Sequence, residues 1–108
     1  MAFQVFLTDD ASRDVEELYD YIASRDITGK AEYVLDQIEK AFSSLSENPE
    51  RGAYPRELLA LGLREYREFF FKPYRIIYRV MANNAYVMVV ADGRRDMQTL
   101  LLRRLLRT

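Results

Sequence analysis

The chain has no cysteine and no histidine. Without cysteine there is no disulfide, thiolate nucleophile or thiolate metal ligand, which suits a reducing cytoplasm. Without histidine the commonest general base, the commonest metal ligand and the usual neutral-pH switch are gone. Any catalysis would fall to carboxylates, arginines, lysines, tyrosines or hydroxyls, and no metal or cofactor is expected. No apolar run approaches the ~20 residues of a membrane span. The opening MAFQVFLTDD has neither the basic region nor the small-residue cleavage site of a signal peptide. A membrane partner is therefore not expected.

What is present fits a soluble globular chain of one domain, residues 1–108, with 49% apolar and 31% charged residues. The net charge of −1 hides an asymmetry. Residues 1–50 carry 4 basic and 12 acidic side chains, a balance of −8; residues 51–108 carry 12 basic and 5 acidic, a balance of +7. Eleven of those 12 basic residues are arginine, the side chain suited to bidentate contact with carboxylate or phosphate. The basic half is either an internal complement to the acidic half or a surface for an acidic partner.

The hydropathy pattern sets out the elements. AFQVFL (2–7) reads as a strand. Thr8 or Asp9 can cap a helix whose apolar face is Ala11, Val15, Leu18 and Ile22, ending near Asp26. A second helix is expected from about Thr28 to Glu47, with Ala31, Val34, Leu35, Ile38, Ala41, Phe42 and Leu45 as its stripe. The short joint folds the two into an antiparallel hairpin, and Asn48-Pro49 stops the second. Residues 48–62, with two prolines and two glycines, read as a loop with one helical turn at RELLA. The period then changes to two. LREYREFFF (63–71), YRIIYRVMA (74–82) and AYVMVVA (85–91) are three strands of an antiparallel meander, joined at Lys72-Pro73 and Asn83-Asn84. Asp96 can cap a last short helix carrying Leu101, Leu102, Leu105 and Leu106. The order implies an α+β domain with its helices on one side of the sheet.

Two-residue turns would pair Phe70 with Arg75, Val80 with Val87, and Arg79 with Met88. One sheet face then collects Phe69, Phe71, Tyr74, Ile76, Tyr78, Val80, Val87, Val89, Ala91 and Leu63 for the core. The other collects Arg64, Tyr66, Glu68, Phe70, Arg75, Ile77, Arg79, Met81, Tyr86, Met88 and Val90. That mixture of Arg, Tyr, Phe and Met has the composition of an interface core. Two readings of it stay open: a partner-facing surface, or a face where Glu68 pairs with an arginine and the last helix covers the rest.

In this order, DVEELYDYIASRD, NPERG (Asn48 to Gly52), REYREFFFKPYRIIYRV and GRRDMQTLL (Gly93 to Leu101) resemble the ParE/RelE superfamily of type II toxin-antitoxin toxins over nearly the whole chain. RelE-like members cleave messenger RNA on the ribosome; ParE-like members share the fold and inhibit DNA gyrase by binding. Measured against the RelE pattern, Arg94 matches a family arginine, but Leu100 stands where many members have tyrosine. Phe70 stands where a basic residue is usual, and residues 56–71 contain no lysine. A sequence pI near 5.5 is also low for a phosphate-binding nuclease. GRRD followed by leucines looks more like ParE, although Asp92 replaces the usual histidine before the glycine. The resemblance therefore implies a gyrase-binding toxin without catalytic residues, and a partner antitoxin with an acidic, amphipathic C-terminal segment. Target-binding candidates are Arg94, Arg95, Asp96, Leu101 and Leu105. Antitoxin-binding candidates are Arg64, Tyr66, Arg75, Arg79 and Met88. A hetero-oligomer with the antitoxin is implied, and operator DNA would be bound by the antitoxin, since no DNA-binding motif is present here. The alternative is a ribosome-dependent endoribonuclease in which Arg64, Arg67, Arg75 and Arg94 hold phosphate.

Overall fold

The computed structural model describes residues 3–25 and 29–106. Its elements are β1 (Gln4–Leu7), α1 (Asp9–Ala23), α2 (Lys30–Glu47), α3 (Arg56–Leu59), β2 (Tyr66–Phe71), β3 (Tyr74–Met81), β4 (Asn84–Asp92) and α4 (Met97–Leu105). This is the expected α+β order. Ala2, the helix end near Asp26 and the helix start near Thr28 lie outside the described residues.

Local chemistry explains the element ends. Thr8 caps α1, its Oγ1 accepting from the Ala11 amide at 3.1 Å. Asp96 caps α4, accepting from the Thr99 amide at 3.2 Å and the Thr99 hydroxyl at 2.8 Å. Asn48 and Pro49 end α2, as the proline requires.

The four strands lie in the order β1-β4-β3-β2, with β1 parallel to β4 and the other pairs antiparallel. The pairing of the first strand with the last is a tertiary contact that no local pattern announces. The β2–β3 register is the expected one, Phe70 opposite Arg75. The β3–β4 register is not. Met81 pairs with Asn84, so the turn is Ala82-Asn83 rather than Asn83-Asn84, and the positive φ of 55° falls on Ala82. Arg79 therefore faces Tyr86, not Met88, and Val80 faces Ala85.

A bulge follows. Tyr78 pairs with Val87 but Ile77 pairs with Val89, which leaves Met88 as the extra residue on β4. The bulge exchanges the faces of everything beyond it. Val90 joins Tyr74, Ile76, Tyr78 and Val87 under α1 and α2. Val89 and Ala91, expected there, instead join Tyr66 and Ile77 on the opposite face with Leu58 of α3 and Met97, Leu100 and Leu101 of α4. Leu63, which precedes β2, also packs on that second face. The sheet is thus covered on both sides, which corrects the expectation of helices on one side only.

Candidate functional site

The loop that precedes β2 is fixed by a tyrosine of β3. Tyr78 has no exposed surface. Its hydroxyl donates to the Pro49 carbonyl at 2.7 Å and accepts from the Gly52 amide at 3.1 Å. Burial pushes its pKa up, so it stays a neutral donor. A Cβ on Gly52 would lie 2.5 Å from the Tyr78 oxygen and 2.6 Å from the Glu68 carbonyl. NPERG and YRIIYRV are therefore two halves of one contact, and glycine is needed for the close approach. The loop also bridges the outer edge of β2, where the Glu68 amide donates to the Ala53 carbonyl at 2.7 Å.

This loop and α3 wall a cleft of about 470 Å³ between β2, the β2–β3 turn and the segment before α4. Tyr54, Arg56, Phe70, Lys72 and Arg94 stand around it, with Arg75 and Glu68 at its floor. Phe70 is 57% exposed there. Arg75 is on the face opposite the α1–α2 core, as the alternation of YRIIYRV requires, but the expectation that it meets a partner is not compatible with its surroundings. It is 6% exposed. Its Nη1 and Nη2 donate to the two oxygens of Glu57 at 2.8 Å each, and its Nε donates to Glu68 at 2.6 Å. These hydrogen bonds from Arg75 hold the Glu57 carboxyl below its ordinary range, and those carboxylates raise the arginine further. All three nitrogens of the guanidinium are thus hydrogen-bonded. Gly93 completes the packing, because a Cβ there would meet Arg75 Cδ at 2.9 Å.

The other arginines of the cleft are also engaged. Arg67 donates to the Gly52 carbonyl at 2.9 Å and to the Tyr54 hydroxyl at 3.4 Å. Arg94 donates through its amide and its Nε to Asp92 Oδ1, both at 2.9 Å. This pairing lowers the Asp92 carboxyl pKa. Asp92, the residue before the glycine, thus serves as a partner for Arg94, whose side chain is otherwise largely in solvent. Arg64 is exposed and lies over the Tyr54 ring at 5.8 Å, and its guanidinium has no ion pair among the described residues. Arg95 and Asp96 are exposed at the start of α4.

The remaining candidates divide. Arg79 is half-buried over the Tyr66 ring at 5.7 Å and has no ion pair among the described residues. Met88, the bulge residue, is half-buried. Tyr66 is buried beneath α3 and α4, which corrects its placement on a partner-facing surface. Leu101 has no exposure at all and Leu105 packs partly against the same core. The leucines turned outward here are Leu102 of α4 and Leu106, which follows the helix. Leu100, at the position where RelE members carry tyrosine, is buried in the core.

A further cluster was invisible in the sequence. The extra residue at Met88 disturbs the ladder of β4, and Asp14 of α1 repairs it by accepting from the Val90 amide at 3.0 Å. Arg104 of α4 donates to both oxygens of Asp14 at 2.9 Å and to the Met88 carbonyl at 3.1 Å. Asp14 and Arg104 are 90 residues apart, so only the fold joins them.

Comparison with known proteins gives the family. The model of the ParE toxin of type II toxin-antitoxin systems matches residues 5–98. No curated protein matches the chain in sequence. Among solved structures, the chain is similar to one of a chromosomal ParDE toxin-antitoxin system from P. aeruginosa. The identity is 16% over 84% of this chain and 96% of that one, with a TM-score of 0.69. It is also similar to a chain of the RelBE2 toxin-antitoxin complex from Mycobacterium tuberculosis, at 20% identity over 85% and 99% and a TM-score of 0.63. An E. coli RelE toxin mutant in the free state matches at 18% identity over 97% and 99%, with a TM-score of 0.64. Likenesses at these identities establish the fold.

Proposed function

The chain belongs to the ParE toxin family of type II toxin-antitoxin systems, and from that membership we propose that it inhibits DNA gyrase by binding and is neutralised by a cognate antitoxin. The observation that carries this reading is the state of the cleft arginines. Arg75 is closed between Glu57 and Glu68, Arg67 is spent on the 52–54 loop, and Arg94 is paired with Asp92. A phosphodiester would have to displace carboxylates from Arg75, and the carboxylates that could act as a general base there, Glu57 and Glu68, are themselves tied to that arginine. Arg94, Arg95 and the outward leucines of α4 supply a basic and apolar surface for a protein target instead. Asp96 acts there by holding the start of α4, and Leu101 and Leu105 by seating the helix.

The guanidinium groups of Arg64 and Arg79 have no ion pair among the described residues and would receive an acidic antitoxin segment, with Met88 as a further contact. Such a segment would order on binding. The complex would be a hetero-oligomer acting in the cytoplasm, with residues 1–108 as one toxin domain. The direct test is a supercoiling assay with purified gyrase. Inhibition, with trapping of cleaved DNA, is expected; unaffected supercoiling at excess toxin rejects this target.

The basic rim of the cleft, Arg56 and Lys72 beside an exposed Phe70, favours a second reading, ribosome-dependent cleavage of messenger RNA. Primer extension after induction separates the two. Codon-phased cuts in translated regions would support the nuclease and count against gyrase.

A further inference from the structure

Two surfaces of the molecule combine apolar side chains with unpaired charge, and their charges are opposite. The first is an open slot of about 390 Å³ between α1 and α2. Leu7 at the end of β1, Val15 and Tyr19 of α1 and Leu35 of α2 line it, each half-buried. The polar end of Tyr19 is already engaged, since its hydroxyl donates to Glu32 at 2.7 Å. The rim is acidic. Glu16 and Asp20, one turn apart on α1, are exposed there and have no ion pair among the described residues. Glu39, one turn beyond Leu35 on α2, is exposed and unpaired in the same sense. An apolar floor between carboxylates fits apolar side chains flanked by a cation.

The second surface is the outer side of α4. Leu100 and Leu101 seat this helix on the sheet, and Leu102 and Arg103 are left exposed together with Leu106, the residue after the helix. The Leu106 amide donates to the Leu102 carbonyl at 3.2 Å, so the two outward leucines stand one turn apart. Arg104 turns in to Asp14, whereas Arg103 has no ion pair among the described residues.

We propose that the outer side of α4 of one copy docks in the α1–α2 slot of a second copy. Leu102 and Leu106 enter between the helices, and Arg103 meets Glu16 and Asp20. The slot calls for a basic turn that carries leucines, and this chain holds one beside its own end. A copy cannot place it in its own slot. The α1–α2 core lies on one face of the sheet, and α4 is fixed to the other by Met97, Leu100 and Leu101. The two surfaces can therefore meet only between molecules, and every copy brings both. A net charge of −1 opposes this little. The contact is heterologous, so a copy can give its α4 to one neighbour and receive that of another. One helix face is small against the ~1,200 Å² of a stable complex, which puts association at about 10–1000 micromolar.

The test uses the full chain. In sedimentation the mass should rise above the monomer as concentration approaches about 1 mM. Raising the salt from about 0.05 M to about 0.5 M should weaken association about 10-fold, because the ionic part of the contact is exposed. Two variants separate its halves. Glu16→Lys with Asp20→Lys spoils the slot, and Leu102→Ser with Leu106→Ser spoils the helix face. All four positions are exposed, and circular dichroism checks that both variants fold. Each variant alone should stay monomeric. An equal mixture should give a 1:1 pair that grows no further, since the intact α4 of the first fits the intact slot of the second. A monomeric wild type at about 1 mM, association indifferent to salt, a variant that associates as wild type does, or a mixture that stays monomeric would each overturn the proposal. The first of these would leave the slot to a basic segment of a different protein.

Discussion

Arg75 is the residue on which the cleft turns. A buried guanidinium is tolerated only when it is paired and hydrogen-bonded, and Glu57 and Glu68 together take one bond from each of its three nitrogens. Glu57→Ala should cost about 2 kcal/mol, below the ~3–5 of a broken buried pair, because Glu68 still neutralises the arginine. Urea unfolding measures it. The pH dependence follows from the lowered Glu57 pKa. A carboxyl that titrates lower in the folded state contributes its full stabilisation above its unfolded value, 4.5, and loses it as pH falls through the folded value. The difference between wild type and variant should be constant near neutrality and shrink below about pH 4.5. Gly52 offers a second test. Gly52→Ala pushes a methyl against the Glu68 carbonyl and the Tyr78 hydroxyl. A loss of about 1–3 kcal/mol is expected, with Tyr78 becoming more accessible. An unchanged midpoint would mean that the 49–53 loop is not held as described.

Among the elements, α4 and the bulge of β4 depend on each other. The bulge leaves the Val90 amide without a ladder partner. Asp14 supplies one, and Arg104 ties α4 to the same carboxylate. Removing that carboxylate leaves the Val90 amide unsatisfied and takes from Arg104 its bidentate partner, leaving it the Met88 carbonyl and Asp10. Asp14→Ala should therefore cost about 2–4 kcal/mol, and the Val90 amide should exchange with deuterium much faster than its neighbours in β4. Loss of stability with Val90 still protected would assign the cost to α1 alone. The element scale also explains which leucines matter. Leu101 fills the core and Leu102 points outward, although both belong to the stripe that spacing alone suggests.

For the whole molecule, the charge asymmetry becomes a division of surfaces. The acidic half forms α1 and α2 on one side of the sheet, and the basic half supplies α3, α4 and most of the strands. Part of it is internal, as Arg75 and Arg104 show, part is held by neighbours, as with Arg67 and Arg94, and Arg64 and Arg95 are exposed. Charge reversal should separate the two proposed partners. Arg64→Glu with Arg79→Glu should weaken an acidic antitoxin segment by about 10-fold or more, with a reduced salt dependence, while gyrase inhibition is retained. Arg94→Glu with Arg95→Glu should do the reverse. Titration calorimetry and the supercoiling assay read the two effects, and an exchange of outcomes would exchange the surfaces.

The sequence by itself determined the elements, because they rest on local physics. The period of the apolar residues, the capping oxygens of Thr8 and Asp96, and Asn48-Pro49 place α1, α2, α4 and the meander within a few residues. The motifs NPERG, YRIIYRV and GRRD likewise carried the family. Only the tertiary structure decided which faces these elements present. One extra residue at Met88 carried Val89 and Ala91 across the sheet, since a side-chain period of two turns any single insertion into a change of face. Glu57 and Glu68 made Arg75 an interior residue, and α3 and α4 covered Tyr66. Those contacts join residues distant in the chain, so no spacing announces them. They decide which of the arginines lie in the interior.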